Sequence, residues 1–133
     1  MTADAIVRAR IDSAVKARAA AAPAIDPETQ RAMHAFIQRL EGRYPVNHAI
    51  LFGSRARRTH GADSDADVAI VLDGARGDRS ATAREMAGIA FDVMLETGIL
   101  VEALPLWSDE LEHPETFSNP ALIANIRRDG IRL

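Results

Sequence analysis

Residues 50–72 read ILFGSRARRTHGADSDADVAIVL, and the fold turns on this stretch. A hydrophobic run ends in Gly53-Ser54, and after the intervening residues 55–64 two aspartates, Asp65 and Asp67, open the next hydrophobic run. Aspartate is a poor strand former and is costly to bury, so the pair needs a physical reason. Side chains alternate across a strand, which predicts Asp65 and Asp67 on one side with Ala69 and Val71, and Val68, Ile70 and Leu72 on the other. Like charges that close raise each other's pKa unless a cation lies between them. Oxygen ligands select a hard ion such as Mg²⁺, which completes its shell with waters and phosphate oxygens.

Gly53-Ser54 complements such a site. Glycine lets backbone approach a ligand, Ser54 is expected to cap the following turn, and a helix start fed by a strand favours an anion. Arg55, Arg57 and Arg58 follow at once, and Arg55 and Arg57 are the phosphate candidates among them. One loop thus offers phosphate donors and the next strand offers metal ligands, which describes a nucleoside triphosphate held as its metal complex.

Working outward, VNHAILF predicts a strand before the turn and DADVAIVL its partner after it, with SRARR as one helical turn and THGADS as turn chemistry. Asp26-Pro27 reads as an N-cap and first-turn proline, with Met33, Phe36, Ile37 and Leu40 on a buried helical face and Gly42 as the stop. A third helix is expected over residues 80–97, presenting Met86, Ile89, Ala90, Val93 and Met94 on one face before Gly98. ILVEALPLW predicts a third strand ending near Pro105, and Asn119-Pro120 starts a short final helix that stops at Gly130. Val7, Ile11, Ala14 and Val15 fall at helical spacing over residues 3–20. The expected class is α/β (α+β), a small mixed sheet flanked by helices.

At 133 residues the chain fits a single domain, with residues 1–22 as an N-terminal helical extension and 108–133 as a C-terminal helical segment. Its 47% hydrophobic and 26% charged residues argue against wholesale disorder, and its net charge of −3 argues against a dedicated duplex-binding module. The absence of cysteine excludes disulfide frameworks and thiolate zinc sites. No apolar run approaches the ~20 residues that span a bilayer, so no membrane association and a cytoplasmic location are expected.

The spacing Gly53-Ser54, ten residues, Asp65-x-Asp67 resembles the signature of the DNA polymerase β-like nucleotidyltransferases, and in particular of the minimal nucleotidyltransferase group. The strand–turn–strand–helix–strand context extends the resemblance over roughly Asp26 to Trp107. It implies a polymerase β-like fold and a third carboxylate on a later strand. The matching position is Glu102, the one charged residue of its run, where family members more often carry aspartate. It further implies transfer of a nucleoside monophosphate, most simply AMP from ATP although another triphosphate is open, to an acceptor hydroxyl. Asp65, Asp67 and Glu102 would then be catalytic, holding two Mg²⁺ ions or Mn²⁺ in their place, while Gly53, Ser54, Arg55 and Arg57 take the phosphates. Members of the group often act as antitoxins beside a HEPN-domain ribonuclease, so a partner protein such as a HEPN toxin is the expected acceptor, ahead of nucleic acid. Two alternatives stand beside this reading: a catalytically weak or inactive antitoxin or binding module, and nucleotidylation of a small molecule such as an aminoglycoside.

Overall fold

A computed structural model describes residues 25–133, so the helix expected over residues 3–20 and the boundary at residue 22 lie outside the described residues. Asp26 is extended and its carboxylate accepts the Thr29 N–H at 3.0 Å, which caps helix α1 (Pro27–Leu40). Ala32, Met33, Phe36 and Leu40 form its buried stripe. Strand β1 (Val46–Phe52) leads into a single helical turn, α2 (Ser54–Arg57), and then to strand β2 (Ala66–Leu72). Helix α3 (Arg79–Thr97), capped by Asp78 and stopped by left-handed Gly98, crosses over to strand β3 (Val101–Trp107). Helix α4 (Ser108–Glu112), a 3₁₀ turn (Pro114–Thr116), helix α5 (Pro120–Asp129) and strand β4 (Ile131–Arg132) complete the chain.

The four strands form one mixed sheet in the order β3-β2-β1-β4. β1 lies antiparallel to β2 and β4, and β3 lies parallel to β2. A parallel neighbour requires a crossover, which α3 supplies. One face, including Leu51, Val68 and Ile70, packs beneath α1 and α3 with Phe36, Met86 and Val93. The other face buries Ala69 and Leu106 against Phe117, Ile123 and Ile126. The mixed sheet flanked by helices is thus present as expected.

Two expectations need correction. β3 does not end near Pro105 but continues to Trp107. Among the described residues it is an edge strand bonded to β2 alone, so a residue without an N–H sits there without breaking the ladder. The short elements α4 and β4, of five and two residues, were not foreseen, because neither is long enough to show a hydrophobic period.

Behind β3 an ionic knot joins α3 to α4. Arg79 Nη1 donates to the Pro105 carbonyl at 2.6 Å and to Glu110 Oε1 at 3.0 Å, and Arg79 Nη2 donates to Glu110 Oε2. Glu110 Oε1 also accepts the Trp107 N–H at 3.0 Å. The guanidinium lies between the rings of Trp107 and Phe117, 5.3 and 4.8 Å from their centroids. Burial alone would raise the Glu110 carboxyl, but the Arg79 hydrogen bond and the Trp107 N–H outweigh it and hold the pKa below the ordinary glutamate value. A depressed carboxyl stabilises the fold above its unfolded pKa and loses that contribution as pH falls through its folded pKa. Glu110→Ala, which leaves Arg79 half-enclosed without its carboxylate, is expected to lower unfolding free energy by about 3 kcal/mol in urea titrations at neutral pH. Part of that difference should vanish in acid below the ordinary glutamate range.

Candidate active site

The turn after β1 is built around one close approach. Gly53 has φ +74°, ψ −158°, and a Cβ placed on it would collide with Asp67 Oδ2. Only glycine satisfies both the backbone angle and the contact. The Ala56 and Arg57 N–H groups donate to the Gly53 carbonyl at 3.2 and 3.1 Å, closing α2, and Arg58 ends it in the left-handed region. Gly53 itself occupies the cap position and no side-chain cap bond forms, so Ser54 is the first helical residue rather than the expected cap.

The arginines divide their work. Arg55 is 2% exposed, and its Nε donates to the Ser64 carbonyl at 3.0 Å, its Nη1 to Thr29 Oγ1 at 2.7 Å and its Nη2 to the Ala62 carbonyl at 3.4 Å. Asp26 lies 4.0 Å away. This corrects the expectation that Arg55 meets phosphate: its guanidinium is spent tying the 59–64 loop to the start of α1. Buried charge is tolerated only when its donors are met, and here three acceptors meet them. His60 belongs to the same junction, with Nε2 3.4 Å from Asp26 Oδ1. Arg57 stays exposed, and its charge acts on both Asp67 and Asp129.

The three carboxylates come together from different parts of the chain. Asp67 is the register partner of Phe52 on β1 and of Glu102 on β3, and Asp65 lies just outside the start of β2. The Asp67 pKa is raised, first by burial and then by the Asp65 charge, against the lowering effects of a Glu102 hydrogen bond and of Arg57. Glu102 is raised first by its side-chain interaction with Asp67, then by burial and by the charges of both aspartates. Crowded anions, with Arg57 as a counter-charge to Asp67, are the arrangement that a bound cation relieves. Among the described residues no group of three or more His, Asp or Glu side chains is placed so that it could by itself hold a metal ion. Mg²⁺ seldom uses an all-protein cage; it is held by one or two carboxylates plus substrate phosphates, which fits this donor set.

Beside the carboxylates lies a cleft of ≈ 460 Å³. Asp67 and Glu102 share it with Phe52, Leu104 and Leu122, and Ala83, Ala87 and Ala90 of α3 form the facing wall. The alanines are legible in sequence as helix positions. Their role as a wall depends on α3 folding back over the edge strand, which no local pattern reveals.

Residues 33–124 match the family described as the nucleotidyltransferase domain. A Sulfolobus solfataricus protein with a provisional nucleotidyltransferase name, known from its crystal structure, aligns at 15% identity and a TM-score of 0.44, covering 84% of this chain and 90% of its own. Comparison with curated proteins finds no match.

The carboxylate cluster makes a stability prediction. A carboxyl whose folded pKa is raised binds more protons folded than unfolded, so its charge opposes folding as pH rises from the ordinary carboxylate range through the raised value. Asp67→Asn is therefore expected to raise the metal-free Tm by a few degrees at neutral pH in EDTA, and the gain should shrink as the buffer is made acidic. Gly53→Ala should lower Tm, because the added methyl meets Asp67 and the positive φ is strained.

Proposed function

The chain belongs to the nucleotidyltransferase domain family, and from that premise we propose that it transfers a nucleoside monophosphate, AMP from ATP, to a hydroxyl on a partner protein. The observation that carries this reading is the pairing of Asp67 and Glu102 in register on adjacent strands, with the Asp65 charge reaching both, beside the Gly53 turn. Asp65, Asp67 and Glu102 are the residues that would hold Mg²⁺. Once bound, the metal supplies charge neutralisation at the triphosphate and a lowered pKa for the acceptor hydroxyl.

The rest of the chemistry belongs to the chain's own groups. Gly53, lacking a side chain, lets the turn backbone lie against Asp67, where it would meet the β and γ phosphates, and Ser54 adds a hydroxyl beside it. Arg57 offers the free guanidinium that Arg55 does not, and opposes the charge that develops on the leaving pyrophosphate. The strands hold Asp67 and Glu102 at fixed separation, so the reacting groups are positioned before substrate arrives. Phosphoryl transfer of this kind rests on positioning and electrostatics, which is why no histidine is required.

A protein acceptor is supported by the cleft. Apart from Asp67 and Glu102 its lining residues are uncharged and mostly small or apolar. That lining suits the ring of a tyrosine on a partner such as a HEPN-domain toxin better than a phosphodiester backbone, which would call for cations. A second reading, a binding module without transfer, draws on there being no group of three such side chains, among the described residues, placed to hold a metal ion by itself.

The test is incubation with ATP labelled at its α-phosphate and the candidate partner. Label should pass to the partner only with Mg²⁺ or Mn²⁺, and ATP should raise Tm only when metal is present. Glu102→Gln should retain the metal-dependent Tm shift while transfer falls by about 100-fold or more, and Asp67→Asn should lose both. Glu102→Asp, carrying the shorter carboxylate usual in the family, should keep or increase transfer. Unchanged transfer by Glu102→Gln would remove Glu102 from the site, and equal ATP shifts in EDTA would remove the carboxylates from nucleotide binding.

A further inference from the structure

Helix α3 is apolar on two sides. Met86, Ile89, Ala90 and Val93 face the core, while on the outward face Phe91 is 52% and Leu95 70% exposed. Arg84, Gly88, Phe91 and Leu95 follow one another at spacings of four, three and four residues, which sets them along a single ridge of the helix. Gly88 is exposed near the middle of this 19-residue helix, and a Cβ placed on it would meet nothing within 4 Å. Among the described residues neither backbone nor packing asks for glycine there, and glycine weakens a helix interior. Arg84 on the ridge and Asp92 beside it make no hydrogen bond or ion pair among the described residues. Their neighbours are engaged, Glu85 with Tyr44 and Glu96 with Arg39.

We propose that this face is the contact between two copies of the chain, packed through antiparallel α3 helices about a two-fold axis. The ridge is complementary to itself. An antiparallel register that sets Phe91 of one copy into the notch at Gly88 of the other does so twice, as a two-fold contact requires. The same register brings Leu95 of the second copy against the aliphatic stem of Arg84 and puts Asp92 of that copy within one helical turn of the guanidinium. The exposed aromatic finds a pocket, the missing side chain becomes a point of close approach, and both free charges are matched. Ala83 and Ala87 of the same helix line the cleft beside Asp67 and Glu102, so the second copy borders that cleft.

Sedimentation of the full chain across a concentration series tests this. The wild-type chain is expected to be a dimer. Phe91→Glu should give a monomer with an unchanged circular dichroism spectrum. Gly88→Leu should weaken association by filling the notch while raising Tm of the monomer, the opposite of what a merely structural glycine would do. Arg84→Asp should raise the dimer dissociation constant by about ten-fold, since it sets like charges together, and adding Asp92→Arg should restore it. A monomeric wild-type chain overturns the proposal, whether the face is bare or covered by residues 1–24. So does a dimer that survives Phe91→Glu, or an Arg84→Asp defect that Asp92→Arg does not repair. None of these outcomes depends on nucleotide transfer, so failure here and failure of the proposed activity are separable.

Discussion

The contact between the Gly53 backbone and the Asp67 carboxylate is the constraint around which the sheet is set. It joins the end of β1 to the start of β2 so closely that a single methyl group would not fit. The antiparallel register follows from it, with Phe52 opposite Asp67 and the alternation carried back to His48 opposite Val71, beyond which a register shift sets Val46 opposite Leu72. Once that register holds, Val68 and Ile70 must face α1 and α3, and Ala69 must face Phe117 and Ile123. A slip of one residue would turn the carboxylate into the core and the core into water. The functional corner and the hydrophobic layering are therefore one structural decision.

Arginine shows how differently the same residue type is used in this chain. Arg55 and Arg79 both lie at junctions between elements, and their donors are met by backbone carbonyls and buried or half-buried oxygens. Planar, always charged and rich in donors, guanidinium can join three elements that no apolar side chain would hold in one geometry. Arg57, two residues from Arg55, keeps its charge at the surface, where it faces the carboxylates. Position on a four-residue helical turn separates the two tasks, since neighbours along a helix point about a quarter-turn or more apart.

Much of this was legible in the sequence. Asp26-Pro27, Gly98 and Asn119-Pro120 each carry local chemistry that fixes a helix start or stop, and the structure uses every one. The resemblance marked Glu102 as the position of a third carboxylate, and in the sheet it is the register partner of Asp67. What escaped was long-range. Whether Arg55 or Arg57 turns inward depends on where Thr29, Ala62 and Ser64 lie after folding, which a run of arginines does not encode. β4 draws its identity from pairing with Ile50 and Leu51 rather than from its own two residues. The edge position of β3, which lets Pro105 sit within it, is a property of the sheet and not of the strand.

The parallel pairing of β2 with β3 also sets an order in time. Gly53, Asp65 and Asp67 belong to a hairpin whose closure spans a short loop, whereas Glu102 arrives only after α3 has formed and crossed back. Contacts distant in sequence form late, because their chain entropy is lost before the contact returns anything. A partly folded chain thus holds the two aspartates while still lacking the third carboxylate and the alanine wall. Mutual repulsion among the carboxylates enters with the last strand, when most of the core is already buried to resist it.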